Sequence, residues 1–70
     1  MQNVRYIGDY YKYAFEKGNV YRLLDVEGLP DGGVAYHVYS PNLDDDGLFP
    51  AKDFELTDDP VTPTEWDDLA

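Results

Sequence analysis

The run from Asn19 to Ser40 reads NVYRLLDVE (19–27), GLPDGG (28–33) and VAYHVYS (34–40), and it decides the fold. Residues 19–27 are rich in the β-branched and aromatic side chains that suit a pleated strand. Their alternation slips at Leu23-Leu24, which predicts a β-bulge that bends the strand. Residues 28–33 bring together Pro30, Asp31 and glycines, the plainest turn signal in the chain. Val34, Tyr36 and Val38 then alternate against Ala35, His37 and Tyr39 with the period of a half-buried strand. Two such strands joined by a turn make an antiparallel hairpin, and the remaining segments are placed around it.

Upstream, NVRYIG (3–8) reads as a strand closed by a glycine. Between it and the hairpin, DYYKYAFEK (9–17) holds no clean helical stripe, and Gly18-Asn19 breaks it. A long loop or irregular hairpin pinned by its rings is expected there. Downstream, Pro41 to Asp46 turns the chain, Gly47 to Phe49 is a short strand, Pro50 to Asp53 a single 3₁₀ turn, and Phe54 to Leu56 a last strand. Five short strands with frequent turns predict an all-β domain, a small five-stranded barrel or sandwich. The expected core is Val4, Tyr6, Val20, Leu24, Val26, Val38, Phe49 and Phe54.

After Thr57 the composition changes. DDPVTPTEWDDLA (58–70) has two prolines, five acids and no base, so half of the net charge lies there. The expectation is one domain over residues 1–57 and an acidic tail over 58–70, disordered in isolation because it has too little apolar surface to offset its ordering entropy. Thr62-Pro63-Thr64-Glu65-Trp66 fits a helix start, with Thr62 as cap, Pro63 as first helical residue and Glu65 as reciprocal partner. Trp66 and Leu69 would then share one face of a single turn, the pattern of a segment that folds on a partner. The alternative is a solvated tail with Trp66 laid back on the domain.

Composition restricts the chemistry. Seventy residues leave room for one domain with a thin core, in which tyrosine, phenylalanine and tryptophan must do much of the packing. The chain has no cysteine and a single histidine, His37, which excludes disulfide, thiolate-zinc and cysteine-nucleophile chemistry. Fifteen acids against five bases give −10, with no basic cluster, so nucleic acid and anionic membrane are repelled at long range. A basic protein is the natural partner for such a surface. No stretch is apolar enough to span a bilayer, and the first residues lack a signal peptide's basic and apolar regions, so a soluble cytoplasmic protein is expected.

The segment GLFPAKDFEL (47–56) resembles the closing strand, 3₁₀ turn and final strand of Src-homology-3 (SH3) barrels. Together with VRYIG (4–8) and KGNVYRLLDVE (17–27), it is more similar to short SH3-like barrel proteins of Gram-positive bacteria and their phages. The resemblance covers residues 3–57 and implies a five-stranded SH3-like barrel, but no activity. Proline-peptide-binding members carry a tryptophan where this chain has Gly33-Val34-Ala35, and a groove tyrosine where it has Asp53.

Three groups of residues are candidate sites. Tyr10, Tyr11 and Tyr13 place three rings in four positions, which cannot all point inward. Either Tyr10 or Tyr13 caps the core with Phe15, or the cluster forms a contact surface, for which tyrosine is well suited. Trp66 is the further candidate contact residue. Asn42, Asp44 and Asp46, followed by Asp53, approximate the oxygen spacing of a calcium loop, but Asn42 and Asp53 are weak choices at its ends and Pro41 prevents an entering helix, so an acidic turn between two strands is expected and no metal site. His37 would be an acid–base group only with a carboxylate such as Asp25 across the sheet. With no nucleophile–base–orienter set in view, the chain is expected not to be an enzyme and to need no cofactor. The leading expectation is an adaptor-type module, monomeric or weakly dimeric, that engages a basic protein through a tyrosine-rich face. The rival is a nucleic-acid mimic that occupies a DNA- or RNA-binding protein.

Overall fold

The computed structural model describes residues 2–63. Five strands form one antiparallel sheet: β1 (Asn3–Tyr6), β2 (Val20–Gly28), β3 (Val34–Ser40), β4 (Asp45–Pro50) and β5 (Phe54–Thr57). A 3₁₀ turn, Ala51–Asp53, leads from β4 into β5. The spatial order is β4-β3-β2-β1-β5. There is no α-helix among the described residues, and no helix there is long and apolar enough to cross a membrane.

The expected barrel is not closed. β4 and β5 are the two edges of the sheet and do not pair with each other, although only the 3₁₀ turn separates them in sequence. The bend arises in β2, whose register slips between Leu23 and Asp25 as the Leu23-Leu24 repeat predicts. Its first half pairs with β1, Val4 opposite Tyr21, and its second half pairs with β3, Val26 opposite Tyr36. The bulge therefore folds the sheet over itself without joining the edges.

The core lies inside that fold. Val4, Tyr6, Ala14, Phe15, Tyr21, Val38, Phe49 and Phe54 form one buried cluster, with Tyr11, Leu23 and Tyr36 packed against it. Phe15 is central, with ring centroids 5.4 Å from Tyr6, 4.8 Å from Tyr21 and Phe49, and 5.2 Å from Phe54. It comes from the long loop between β1 and β2, so the loop supplies the plug that the thin sheet lacks.

Two expected core residues are not buried: Leu24 is 46% and Val26 53% exposed. The reason is geometric. Leu24 sits in the bulge, and beyond it β2 runs past the region that β1 and the loop cover. Val20 is buried as expected, at 3% exposure, but it stands outside the core cluster. It lies opposite Arg5 on the outward face, because paired residues share a face of the sheet and Arg5 alternates with buried Val4 and Tyr6.

What covers Val20 is the segment after β5. Asp59 receives a hydrogen bond on its carbonyl from the Asn3 side chain, at 2.9 Å, and its carboxylate pairs with Arg5. Thr62 then donates its N–H to the Val20 carbonyl at 2.9 Å, and its hydroxyl accepts the Val20 N–H at 2.8 Å. Residues 58–63 thus strap the outer face of β1 and satisfy the start of β2, where β3 no longer pairs. The hydroxyl of Thr62, the expected helix cap, accepts the Val20 N–H. Trp66 and the rest of the expected helix start lie outside the described residues.

A chain truncated after Thr57 should still fold, because the core cluster contains no strap residue. It should lose about 1–3 kcal/mol, the scale of uncovering one valine and freeing one backbone pair. The Arg5–Asp59 pair adds little, because both side chains are substantially exposed. A thermal melt is expected to shift down by several degrees, and an unchanged midpoint would show that the strap adds no stability.

Candidate protein-binding surface

The loop from Ile7 to Asn19 is held by its backbone. At its start, Ile7 donates to the Asp53 carbonyl at 2.8 Å. Gly8 then passes so close to Asp53 that a Cβ on it would lie 2.6 Å from Oδ1, leaving glycine the residue that fits. Farther along, three side chains from the strands reach into the loop. Tyr6 accepts the Tyr11 N–H on its hydroxyl at 2.6 Å, and Tyr21 accepts the Glu16 N–H at 2.7 Å. Ser40, fully buried, donates its hydroxyl to the Ala14 carbonyl at 2.6 Å. Within the loop, Ala14 and Phe15 both donate to the Tyr11 carbonyl, at 3.0 and 2.9 Å, which makes one tight turn.

This anchoring sorts the three tyrosines. Tyr11 packs edge-on against Phe49, centroids 5.1 Å apart, and is the ring that closes over the core. Tyr10 and Tyr13, one of which would cap the core on the packing alternative, are 79% and 63% exposed. Both lean on Tyr11 edge to face, at 4.9 Å and 6.2 Å. The result is two solvent-facing rings braced by a third that is packed on Phe49. Asp53 stands close enough for its charge to bear on the Tyr11 hydroxyl. Lys12 and Lys17 both approach Asp9, at 3.8 and 3.3 Å, in exposed pairs that contribute little energy but neutralise that end of the loop.

The acidic turn is arranged differently. Asp44 takes a left-handed backbone conformation, φ 49°, and its carboxylate accepts the Tyr39 hydroxyl at 2.7 Å. Asp46 lies 2.9 Å from His37 Nε2, so the carboxylate that reaches the histidine is on β4, not Asp25. Asp25 is opposite His37 in the register, and its own carboxylate accepts the Val26 N–H. Asp53 belongs to the 3₁₀ turn, beside Gly8. Among the described residues no group of three or more histidine, aspartate or glutamate side chains converges on a cation position. The residues that sequence reasoning passed over are Tyr6, Tyr21 and Ser40 as backbone acceptors and donors, and Arg5 with Asp59 and Thr62. The available signal was tyrosine and serine at inward strand positions, where a polar tip needs a buried partner.

Compared with known proteins, the chain matches no family model, no curated protein and no solved structure. The surface must therefore be interpreted from its own geometry.

Three hydroxyls have pKa values above the usual tyrosine value of about 10. Burial raises Tyr21; burial and then the Asp53 charge raise Tyr11; the hydrogen bond to Asp44 raises Tyr39. Above about pH 10 the unfolded chain has released protons that the folded chain retains, so stability falls as pH rises toward the folded values. Denaturant midpoints are expected to decline from that pH upward, with a shallower slope in Tyr21→Phe. Equal slopes in the two proteins would show that Tyr21 does not contribute.

Proposed function

We propose that this protein is a small binding module whose contact surface is the loop bearing Tyr10 and Tyr13, and that its partner is a basic protein. The observation that carries this is the pairing of high exposure with rigid support: both rings face solvent while braced on Tyr11, which is itself packed on Phe49. Aromatic side chains held in place lose little entropy on binding, which is why such residues serve as anchors. The charge of −10 favours a basic partner and disfavours nucleic acid or anionic lipid as a direct ligand. A binding role without catalysis suits a surface on which no nucleophile, base and orienting group meet among the groups described above.

The strand order supports kinship with SH3-like domains. β5 lies beside β1, a long loop joins β1 to β2, and a 3₁₀ turn precedes the last strand, in the sequence positions where the resemblance begins. A cytoplasmic location and a monomeric or weakly dimeric state complete the proposal.

The test uses full-length protein as bait against extract of its native host, followed by affinity measurement on the basic protein recovered. Tyr10→Ser with Tyr13→Ser should weaken that complex by about 30-fold or more, the scale of a hot-spot loss, without lowering the melting temperature. Binding should persist at several hundred millimolar salt. A complex indifferent to both substitutions, competed by DNA or RNA and lost steeply with salt, would support nucleic-acid mimicry instead.

A further inference from the structure

The β2–β3 hairpin extends beyond the rest of the sheet. β4 ends at Pro50, opposite Ala35, so from Val34 to the tip only two strands are present. On this arm Gly28 pairs with Val34; one step nearer the body, where β4 still flanks β3, Val26 pairs with Tyr36, so Val26, Val34 and Tyr36 share the face that carries buried Val38. The core does not reach the end of that face. Val26 and Val34 are 53% and 45% exposed, and Leu24 and Leu29 beside them are also open to solvent.

The arm is nevertheless well built. Leu29 donates to the Gly33 carbonyl at 2.8 Å and Gly32 to the Leu29 carbonyl at 3.0 Å, closing a tight turn. Gly32 has φ +88°, a conformation that suits glycine, Pro30 restricts the preceding step, and the Asp31 carboxylate accepts the Gly33 N–H at 2.9 Å. A hairpin end with a fixed tip presents its aliphatic residues with little left to order on binding.

We infer that this arm is a second docking surface, separate from the tyrosine loop, for a protein segment whose aliphatic side chains are flanked by lysine or arginine. Charge selects that occupant. From Leu23 to Ala51 the chain has no lysine or arginine; Asp31 lies in the tip turn, and Asp25 and Glu27 alternate onto the reverse face along the β2 edge that β1 no longer pairs. A second copy would bring its own net charge of −10 against this one, and an anionic membrane would be repelled in the same way. Aliphatic contact gives the segment its affinity, and the acids give it direction.

The experiment records amide spectra of the isotope-labelled full-length chain against three synthetic eight-residue peptides: alternating lysine–leucine, lysine–serine and glutamate–leucine. Lysine–leucine should shift Val26, Leu29, Gly32 and Val34 saturably, and Val26→Ser with Val34→Ser should weaken it about tenfold. Those two side chains are half exposed, and the variant's unchanged spectrum outside the arm would establish that it still folds. Equal binding of lysine–serine would reduce the effect to charge alone and overturn the inference, as would absence of saturable shifts or shifts centred on Asp44–Asp46. Concentration-dependent shifts of the same arm amides without peptide would assign the face to a second copy, and overturn it also. Substitutions at Tyr10 and Tyr13 leave this readout unaffected, so the two surfaces fail or stand independently.

Discussion

Buried hydroxyls on the strands hold the long loop by its backbone, and the rest of the structure depends on that contact. A loop carried across the inner face of a small sheet brings N–H and C=O groups out of water, each of which needs a partner. Tyr6, Tyr21 and Ser40 meet the groups of Tyr11, Glu16 and Ala14 at 2.6–2.7 Å. No buried side-chain nitrogen or oxygen among the described residues lacks a hydrogen bond. With the backbone fixed, Ala14 and Phe15 enter the core and Tyr11 settles on Phe49. Without Phe15 the aromatic rings of β1, β2, β4 and β5 would surround a void. Each of the two tyrosines packs with its ring and bonds with its hydroxyl, which is how a chain of seventy residues without cysteine builds a sufficient interior.

The strands were legible because their signals are local. The turn at 28–33, the slip at Leu23-Leu24 and the alternation in β3 each depend on near neighbours in sequence, and each is present. Burial was less legible, because it depends on where other segments end. Val26 has the pattern of a core residue, yet β2 outruns its cover, and alternation alone does not reveal the length of a neighbouring strand. The loop could not be resolved from period for a related reason. Its rings pin it as expected through Phe15 and Tyr11, but which rings turn inward is set also by hydroxyls of Tyr6 and Tyr21 on the flanking strands and of Ser40 on β3, leaving Tyr10 and Tyr13 exposed. The strap was hidden behind its composition: two prolines and a surplus of acid mark a poor strand, but Asp59 and Thr62 need only one side-chain and one backbone bond each to hold it across β1 and the start of β2.

The distribution of charge connects these features to binding. Arg5 is engaged by Glu55 and Asp59, while Lys12 and Lys17 approach Asp9, so much of the small basic complement is matched within the molecule. The acids of the arm and of the β3–β4 turn are left to set the field around the exposed aromatic and aliphatic groups. Long-range attraction then favours basic partners, and short-range apolar contact determines which of them remain bound.

Amide hydrogen exchange of the full-length chain tests the hydroxyl anchoring directly. The N–H groups of Tyr11 and Glu16 lie in a loop with no strand partner, so strong protection there would come from Tyr6 and Tyr21. The account predicts that both amides exchange slowly, that Tyr6→Phe speeds Tyr11 by roughly tenfold or more while β3 amides change less, and that Tyr21→Phe does the same for Glu16. Fast exchange at both positions in the unsubstituted protein, or protection that survives the loss of each hydroxyl, would contradict it.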